Sequence, residues 1–233
     1  MQGNFFPHHI AGHLNLRSIL ALAGIAGPVI LIITDLVVAF SDPGYNFIRH
    51  SISSLAWARL GWIQTLGFLT IGLLTELFVA GLYFSIRGRR GFGFGIALLV
   101  CFGFGLLLIG AFHTDPATGP RTVEGTIHGL AAKFIFWLFP VAAFLIAPSL
   151  RKDPQWKPLF YYTIASGVFA IGFMINSIWM PPYFDWFGLF ERILVADEVI
   201  WVEVMAIWML RLSLQSPQKL NAQKEMPSPE HSL

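Results

Sequence analysis

Charged residues are scarce in this chain. Of its 233 residues only 12% are Asp, Glu, Lys or Arg, whereas 55% are hydrophobic. An ordinary soluble domain has about a quarter charged residues, so this composition excludes a water-soluble globule. The net charge of +2 is small and the basic residues are scattered, which excludes a nucleic-acid partner. The expected partner is the lipid bilayer.

Cysteine is almost absent as well. Cys101 is the single cysteine, and it lies inside an apolar run. One cysteine cannot form an intrachain disulfide, and a structural zinc cluster of thiolates needs several. Both kinds of crosslink are therefore excluded.

The apolar residues occur in long runs. A helix needs about 20 mostly apolar residues to cross the ~30 Å hydrocarbon layer, and six runs reach that length. We predict an all-α polytopic membrane protein, a bundle of six transmembrane helices at 18–40, 62–86, 92–112, 123–147, 159–180 and 191–212. This domain, 18–212, follows a short N-terminal segment, 1–17. The polar tail 213–233 has little to bury and is predicted to be disordered.

The loop charges predict the orientation of the bundle. Ten Lys and Arg residues lie in the segments on one side of the predicted spans and four on the other. The ten are Arg17, Arg87, Arg89, Arg90, Arg151, Lys152, Lys157, Arg211, Lys219 and Lys224. The four are Arg49, Arg59, Arg121 and Arg192. Because basic loops stay in the cytoplasm, we expect a multi-pass protein of the cell membrane with both termini cytoplasmic.

Glycines are concentrated around the third predicted span. They are Gly91, Gly93, Gly95, Gly103, Gly105 and Gly110. No strand precedes them, so they do not form a phosphate-binding loop. Small residues let helices approach closely in lipid, and the pattern predicts a tightly packed third helix.

Six charged residues lie inside the predicted spans, away from the span ends. They are Asp35, Glu76, Lys133, Asp197, Glu198 and Glu203. Such residues face a bundle interior or a wet cavity. One interpretation is structural pairing, in which Lys133 meets Asp35 or Asp197 and Asn176 adds hydrogen bonds. The other is a proton path through the carboxylates. Both stay open.

The first outer loop carries polar residues at helical spacing. After the turn signal Asp42-Pro43-Gly44 come Asn46, Arg49, His50, Ser53 and Trp57. This spacing predicts a short interfacial helix within 45–60.

The second outer loop and the start of the fourth predicted span carry further residues of catalytic or metal-binding type. Thr122 is a predicted N-cap, and Glu124 and His128 share one helix face. If the loops converge, one outer pocket collects His50, Ser51, Ser53, Ser54, His113, Asp115 and His128. Two or three imidazoles and a carboxylate can bind the zinc ion of a hydrolase. The candidate zinc ligands are His50, Asp115 and His128. The alternative is that these side chains cap helices and bond loops. Neither H-E-x-x-H nor G-x-S-x-G occurs.

Several short motifs carry a family resemblance. The runs 43–46, 50–55, 61–64, 110–116 and 125–130 resemble the uncharacterised integral-membrane family known as domain of unknown function 998. The similarity extends from about residue 23 to about residue 212. Members are six-helix bacterial and archaeal membrane proteins without an established reaction, so the resemblance implies topology. It also implies that Ser53, Asp115 and His128 form one outer-face unit. His113 departs from the family pattern, which argues against a three-histidine metal site.

Three functions follow as hypotheses. The favoured one is an outward-facing polar cavity that binds or transports a small molecule or ion, based on Asp35, Glu76, Lys133 and Asp197. The alternative is a hydrolase of a lipid-like substrate. In it Ser53 is the nucleophile or oxyanion partner, and Asp115 and His128 are metal ligands or acid/base groups. The third is an accessory protein without chemistry. Whether the protein is an enzyme stays open, and zinc is the metal that the hydrolase would use.

Overall fold

The protein is built from helices. The computed structural model describes residues 15–116, 119–178 and 185–224, and those ranges contain no strand. The α-helices are α1 (Leu16–Ser41), α2 (Gly61–Ser85), α3 (Phe92–Ala111), α4 (Val123–Lys152), α5 (Phe160–Ile178) and α6 (Phe187–Lys224). Two 3₁₀ helices accompany them, Ile52–Trp57 and Lys157–Leu159. The all-α prediction is confirmed.

Among the described residues, five helical segments are long and apolar enough to cross a membrane. They are α1 to α4 and Lys157–Asn176, which joins the second 3₁₀ helix to most of α5. The sixth predicted span falls on α6, which is not among these five over its described residues. The reason is its charge, because Asp197, Glu198 and Glu203 interrupt its apolar residues.

The helices pack in chain order around a common interior. Each helix from α1 to α6 contacts the next one, and α6 also packs against α1. The loop 42–60 and the turn 112–116 lie at one end of this bundle, here called the mouth end. The opposite end carries the turn 86–91 with Arg87, Arg89 and Arg90, and is here called the basic end.

The glycines of α3 lie where neighbouring helices come close. A Cβ atom at Gly103 would lie 2.7 Å from Glu76 Oε1 of α2, and one at Gly95 would lie 2.9 Å from Ile146 of α4. At Gly105 it would overlap Ile135 of α4. The predicted tight packing of the third helix is confirmed, on both of its flanks.

Both ends of the chain extend beyond what is described. The structure departs from the predicted disordered tail, since α6 continues from the predicted end at Leu212 as far as Lys224. Extending an existing helix costs far less than starting one, and α6 continues although Pro217 lies in this stretch. Residues 225–233 of the predicted disordered tail lie outside the described residues, as does most of the predicted N-terminal segment 1–17.

Candidate functional site

The loop 42–60, here called the mouth segment, folds through its own side chains. Asn46 Oδ1 accepts hydrogen bonds from the backbone N–H groups of Ile48 (2.9 Å) and Arg49 (3.2 Å). His50 Nδ1 accepts one from the N–H of Asn46, at 3.1 Å. Asn side chains that bond nearby backbone groups compete with helix formation. A continuous helix over the predicted stretch therefore does not form.

A helix of the 3₁₀ type occupies only Ile52–Trp57. Ser51 begins it, since its hydroxyl accepts a hydrogen bond from the N–H of Ser54 at 3.1 Å. Ile52 and Leu55 are buried, with 6% and 0% of their surface exposed. This helix, here called the mouth helix, is inserted between the long helices and does not lie flat on the surface.

Arg192 in the second turn of α6 fixes the start of the mouth segment. Its guanidinium lies 3.5 Å from Asp35 Oδ1 of α1 and donates a short hydrogen bond to the Tyr45 hydroxyl. Burial raises the pKa of Tyr45 to about 12, although the Arg192 cation opposes that shift. The hydroxyl thus keeps its proton and donates it to the carbonyl oxygen of Ser51, at 2.8 Å.

The same guanidinium holds the backbone of the mouth segment. Arg192 Nη1 donates to the carbonyl oxygens of Phe47 (3.1 Å) and His50 (2.9 Å). Gly188 permits this approach, because a Cβ atom there would overlap the carbonyl of His50. The first turns of α6 are therefore in backbone contact with the mouth segment.

Glu191 adds a second attachment. Its Oε2 atom accepts a hydrogen bond from the backbone N–H of Ile52 at 2.6 Å, at the first residue of the mouth helix. Two consecutive residues of α6, Glu191 and Arg192, thus hold neighbouring stretches of the same loop.

The turn 112–116 forms the other wall of the mouth end. Thr122 caps α4 as predicted, since its hydroxyl accepts a hydrogen bond from the N–H of Gly125 at 2.9 Å. Asp115 in turn accepts from the Thr122 hydroxyl at 2.7 Å. His128 Nδ1 donates to the carbonyl oxygen of Phe112 at 2.8 Å, and Glu124 Oε1 accepts from a backbone N–H of the same turn.

A broad pocket of about 520 Å³ lies between the two walls. Trp57 crosses it and donates its indole N–H to the carbonyl oxygen of Thr114 at 2.8 Å. The pocket is lined by His50, Ser51, Ser54 and Asp115, among others. It is here called the outer pocket.

A second, smaller cavity of about 40 Å³ lies inside the bundle, on the other side of the mouth helix. Apolar side chains from α1, α2, α3, α4 and α6 form most of its wall. The polar residues on that wall are Ser53, Thr75, Glu191 and Glu198. Neither Lys, Arg nor His is among its lining residues in the described part of the chain. It is here called the interior cavity.

Glu198 is the most isolated acid in this wall. Only 3% of its surface is exposed. Its Oε1 atom is buried and has no hydrogen-bond partner among the described residues. An ionised carboxylate in such a place is costly unless a cation or proton neutralises it.

The structure brings only some of the predicted site residues together. His50 and Asp115 share the outer pocket, whereas Ser53 faces the interior cavity. His128 is engaged by the backbone of Phe112. Over the described ranges, no three His, Cys, Asp or Glu side chains are grouped so that they could hold a metal ion.

The predicted pairing of Lys133 is wrong. Asp35 pairs with Arg192, and Asp197 accepts a hydrogen bond from the Ser166 hydroxyl at 2.9 Å. Lys133 is exposed on α4.

Three further polar residues of the predicted spans, Asn176, Glu76 and Glu203, lie away from the interior cavity. Asn176 donates to the carbonyl oxygen of Gly172, within its own helix. Glu76 lies against Gly103 of α3, and Glu203 has one buried oxygen without a partner among the described residues. None of the three lines the interior cavity.

Sequence reasoning missed the role of Arg192 and Glu191. Arg192 enters the charge tally as a loop residue, yet Asp35 inside a span requires a nearby cation. Glu191 and Arg192, an acid next to a base at the start of the last apolar run, are the sequence feature that could have indicated this role.

The fold and the buried charges define a class, a multi-pass helical membrane protein with a mouth loop above an interior cavity. The chain belongs to the family described as "Protein of unknown function (DUF998)", whose model matches residues 25–208. The predicted resemblance is thereby confirmed. No curated protein and no solved structure matches the chain.

Proposed function

We propose that this protein binds a small monovalent cation, a proton or a metal ion such as Na⁺, in the interior cavity and passes it across the membrane. The observation that carries the proposal is the buried carboxylate of Glu198 on the cavity wall, whose Oε1 atom has no hydrogen-bond partner among the described residues. Glu191 lies on the same wall and the same face of α6, so the cavity is lined by two acids and, within the described part of the chain, by no basic residue.

The size of the interior cavity limits the ligand. At about 40 Å³ it has room for a few water molecules or a small ion. Pockets for metabolites and drug-sized molecules are roughly 300–1,000 Å³. A small inorganic cation or a proton therefore fits the site, and an organic solute does not.

The route from the mouth end is short. Ser51 and Ser54 of the mouth segment line the outer pocket, while Ser53 lines the interior cavity. A single 3₁₀ helix thus separates the two spaces. Movement of this helix gives the ion access to Glu198 from the outer pocket.

In this proposal α6 is the sixth span. Its exposed apolar residues recur every seven positions, at Ile193, Ile200, Ile207 and Leu214. Such a stripe suits contact with lipid, while Glu191 and Glu198 face the interior. With six spans both termini lie on one side, and the excess of basic residues in the loops of that side favours the cytoplasm.

No observation favours the hydrolase alternative. Ser53 is not joined by a hydrogen bond to Asp115 or His128 within the described residues, and the contacts of Asp115 are those of a helix cap.

Replacement of the cavity acid tests the proposal. In liposomes with an imposed membrane potential, Glu198→Gln should lower proton or Na⁺ flux roughly tenfold or more, because glutamine keeps the shape but has neither a titratable proton nor a negative charge to balance a cation. Flux is followed with an entrapped pH dye in one arm and with a Na⁺-sensitive dye in the other. The matched control is Glu203→Gln, on the same helix outside the cavity wall, which should conduct as the unmodified protein does. Equal flux in Glu198→Gln and unmodified protein contradicts the proposal, as does an unmodified protein no leakier than empty liposomes to either ion.

A further inference from the structure

We propose that the basic end of the bundle holds a phosphate-bearing anion between Arg17 of α1 and Arg87 of the turn after α2. Both arginines line a pocket of about 380 Å³ at this end. Ser85, Asp153 and Gln155 complete its polar lining. The site is independent of the interior cavity and of the proposed ion.

The two guanidinium groups have donors to spare. Arg17 donates to one backbone carbonyl, that of Phe84, at 3.3 Å. The ion pairs in the described part of the chain are Arg49–Asp185, His113–Glu124 and Arg192–Asp35. Neither Arg17 nor Arg87 has a carboxylate partner among these residues. A planar guanidinium binds phosphate oxygens through paired hydrogen bonds.

Asp153 is the one acid in the pocket lining, and backbone groups occupy both of its oxygens. Oδ1 accepts from the N–H of Gln155 at 2.9 Å, and Oδ2 accepts from the N–H of Arg87 at 3.3 Å. It is buried at the end of α4. Asp153 therefore shapes the turn that presents Arg87, and the pocket retains a net positive charge.

The pocket is held in a fixed shape by contacts between helix ends. The buried Trp156 donates its indole N–H to the carbonyl oxygen of Ser85 at 3.2 Å. The N–H of Arg89 donates to Ser149 Oγ at 2.9 Å, which ties the 86–91 turn to α4. Ser85 Oγ is itself buried without a partner among the described residues. It supplies a further donor for an anion between the arginines.

The position of the pocket favours a lipid headgroup over free phosphate as the source. The arginines lie at the ends of α1 and α2, the depth at which headgroups surround a helical bundle, and basic pockets between helix ends bind anionic headgroups. Tyr83 and Phe84 are more than half exposed beside it. They give an acyl chain an apolar surface next to the phosphate.

The test compares lipids on the intact protein. The detergent-purified protein is mixed with phosphatidylglycerol or phosphatidylcholine, and bound lipid is measured by native mass spectrometry. We expect retention of phosphatidylglycerol that falls roughly tenfold or more in the double variant Arg17→Gln/Arg87→Gln, since two charge-assisted contacts are lost. The matched control Arg59→Gln/Arg121→Gln removes the same charge from exposed positions at the mouth end and should retain the lipid.

A second arm identifies a soluble source. If inorganic phosphate raises the unfolding temperature of the unmodified protein but not of Arg17→Gln/Arg87→Gln, and no lipid is retained, the anion is free phosphate and the site stands. Equal retention of phosphatidylglycerol by the double variant and its control overturns the proposal. So does the combination of no lipid retention and no effect of phosphate.

Discussion

Arg192→Ala should destabilise the protein by about 3 kcal/mol, the lower end of the cost of removing one partner from a buried ion pair, because 16% and 15% of the two side chains remain exposed. The change leaves Asp35 without its cation and leaves the carbonyls of Phe47 and His50 without their donor. The mouth segment loses its main attachment to α6. The free energy of unfolding in mixed detergent micelles measures the effect.

Two further variants make this result specific. Arg192→Lys keeps the charge but loses the planar fork, so it should fall between Ala and the unmodified protein. Arg49→Ala removes an arginine of the mouth segment itself, whose pair with Asp185 is exposed, with side chains 64% and 76% accessible. An exposed pair contributes about 0 to 1 kcal/mol. Equal loss of stability in Arg49→Ala and Arg192→Ala contradicts the account of Arg192.

Gly188→Val should open the mouth segment. The new side chain overlaps the carbonyl of His50 and must displace that backbone. Overpacking of this kind costs about 1–3 kcal/mol. We expect the mouth segment to move away from α6 to relieve this overlap. The fraction of molecules in which the mouth helix is displaced should then rise roughly tenfold or more. Ser53→Cys on a Cys101→Ser background reports the opening through its rate of reaction with a membrane-impermeant thiol reagent.

The control for Gly188→Val is Gly172→Val on α5, where a Cβ atom meets no neighbour within 4 Å. The thiol at position 53 should react slowly in this control and in the parent protein. A rate that is unchanged by Gly188→Val means that the mouth helix does not separate the interior cavity from the outer pocket by a movable contact.

The long helices were predictable because a bilayer imposes a length. Predicted spans 18–40 and 92–112 correspond closely to α1 (Leu16–Ser41) and α3 (Phe92–Ala111). Apolar runs near 20 residues have few other stable arrangements in lipid. The tail could not be bounded in the same way, because composition marks the end of an apolar run and not the end of a helix.

Side-chain partners were far less predictable. Depth along the helices places Asp35 near Lys133, but depth carries no information on which way each helix faces. The ring of helices sets α1 beside α6, so Asp35 meets Arg192. Lys133 on α4 points elsewhere and is exposed.

The mouth end shows the same limit. The sequence identifies the polar residue types of the mouth segment. However, α-helical spacing predicts that Ser53 lies on the same outer face as His50. A 3₁₀ turn with a Ser51 cap rotates consecutive residues differently from an α-helix. Ser53 therefore faces the interior cavity and His50 the outer pocket.

Infrared difference spectroscopy on the reconstituted protein tests the central claim most directly. A change of pH or Na⁺ concentration should alter the carbonyl band of a protonated carboxyl group, and the band should vanish in Glu198→Gln. Glu203→Gln should retain it. A band that survives in Glu198→Gln, or a spectrum without any carboxyl response to either ion, contradicts the assignment of Glu198 as the ion-binding group.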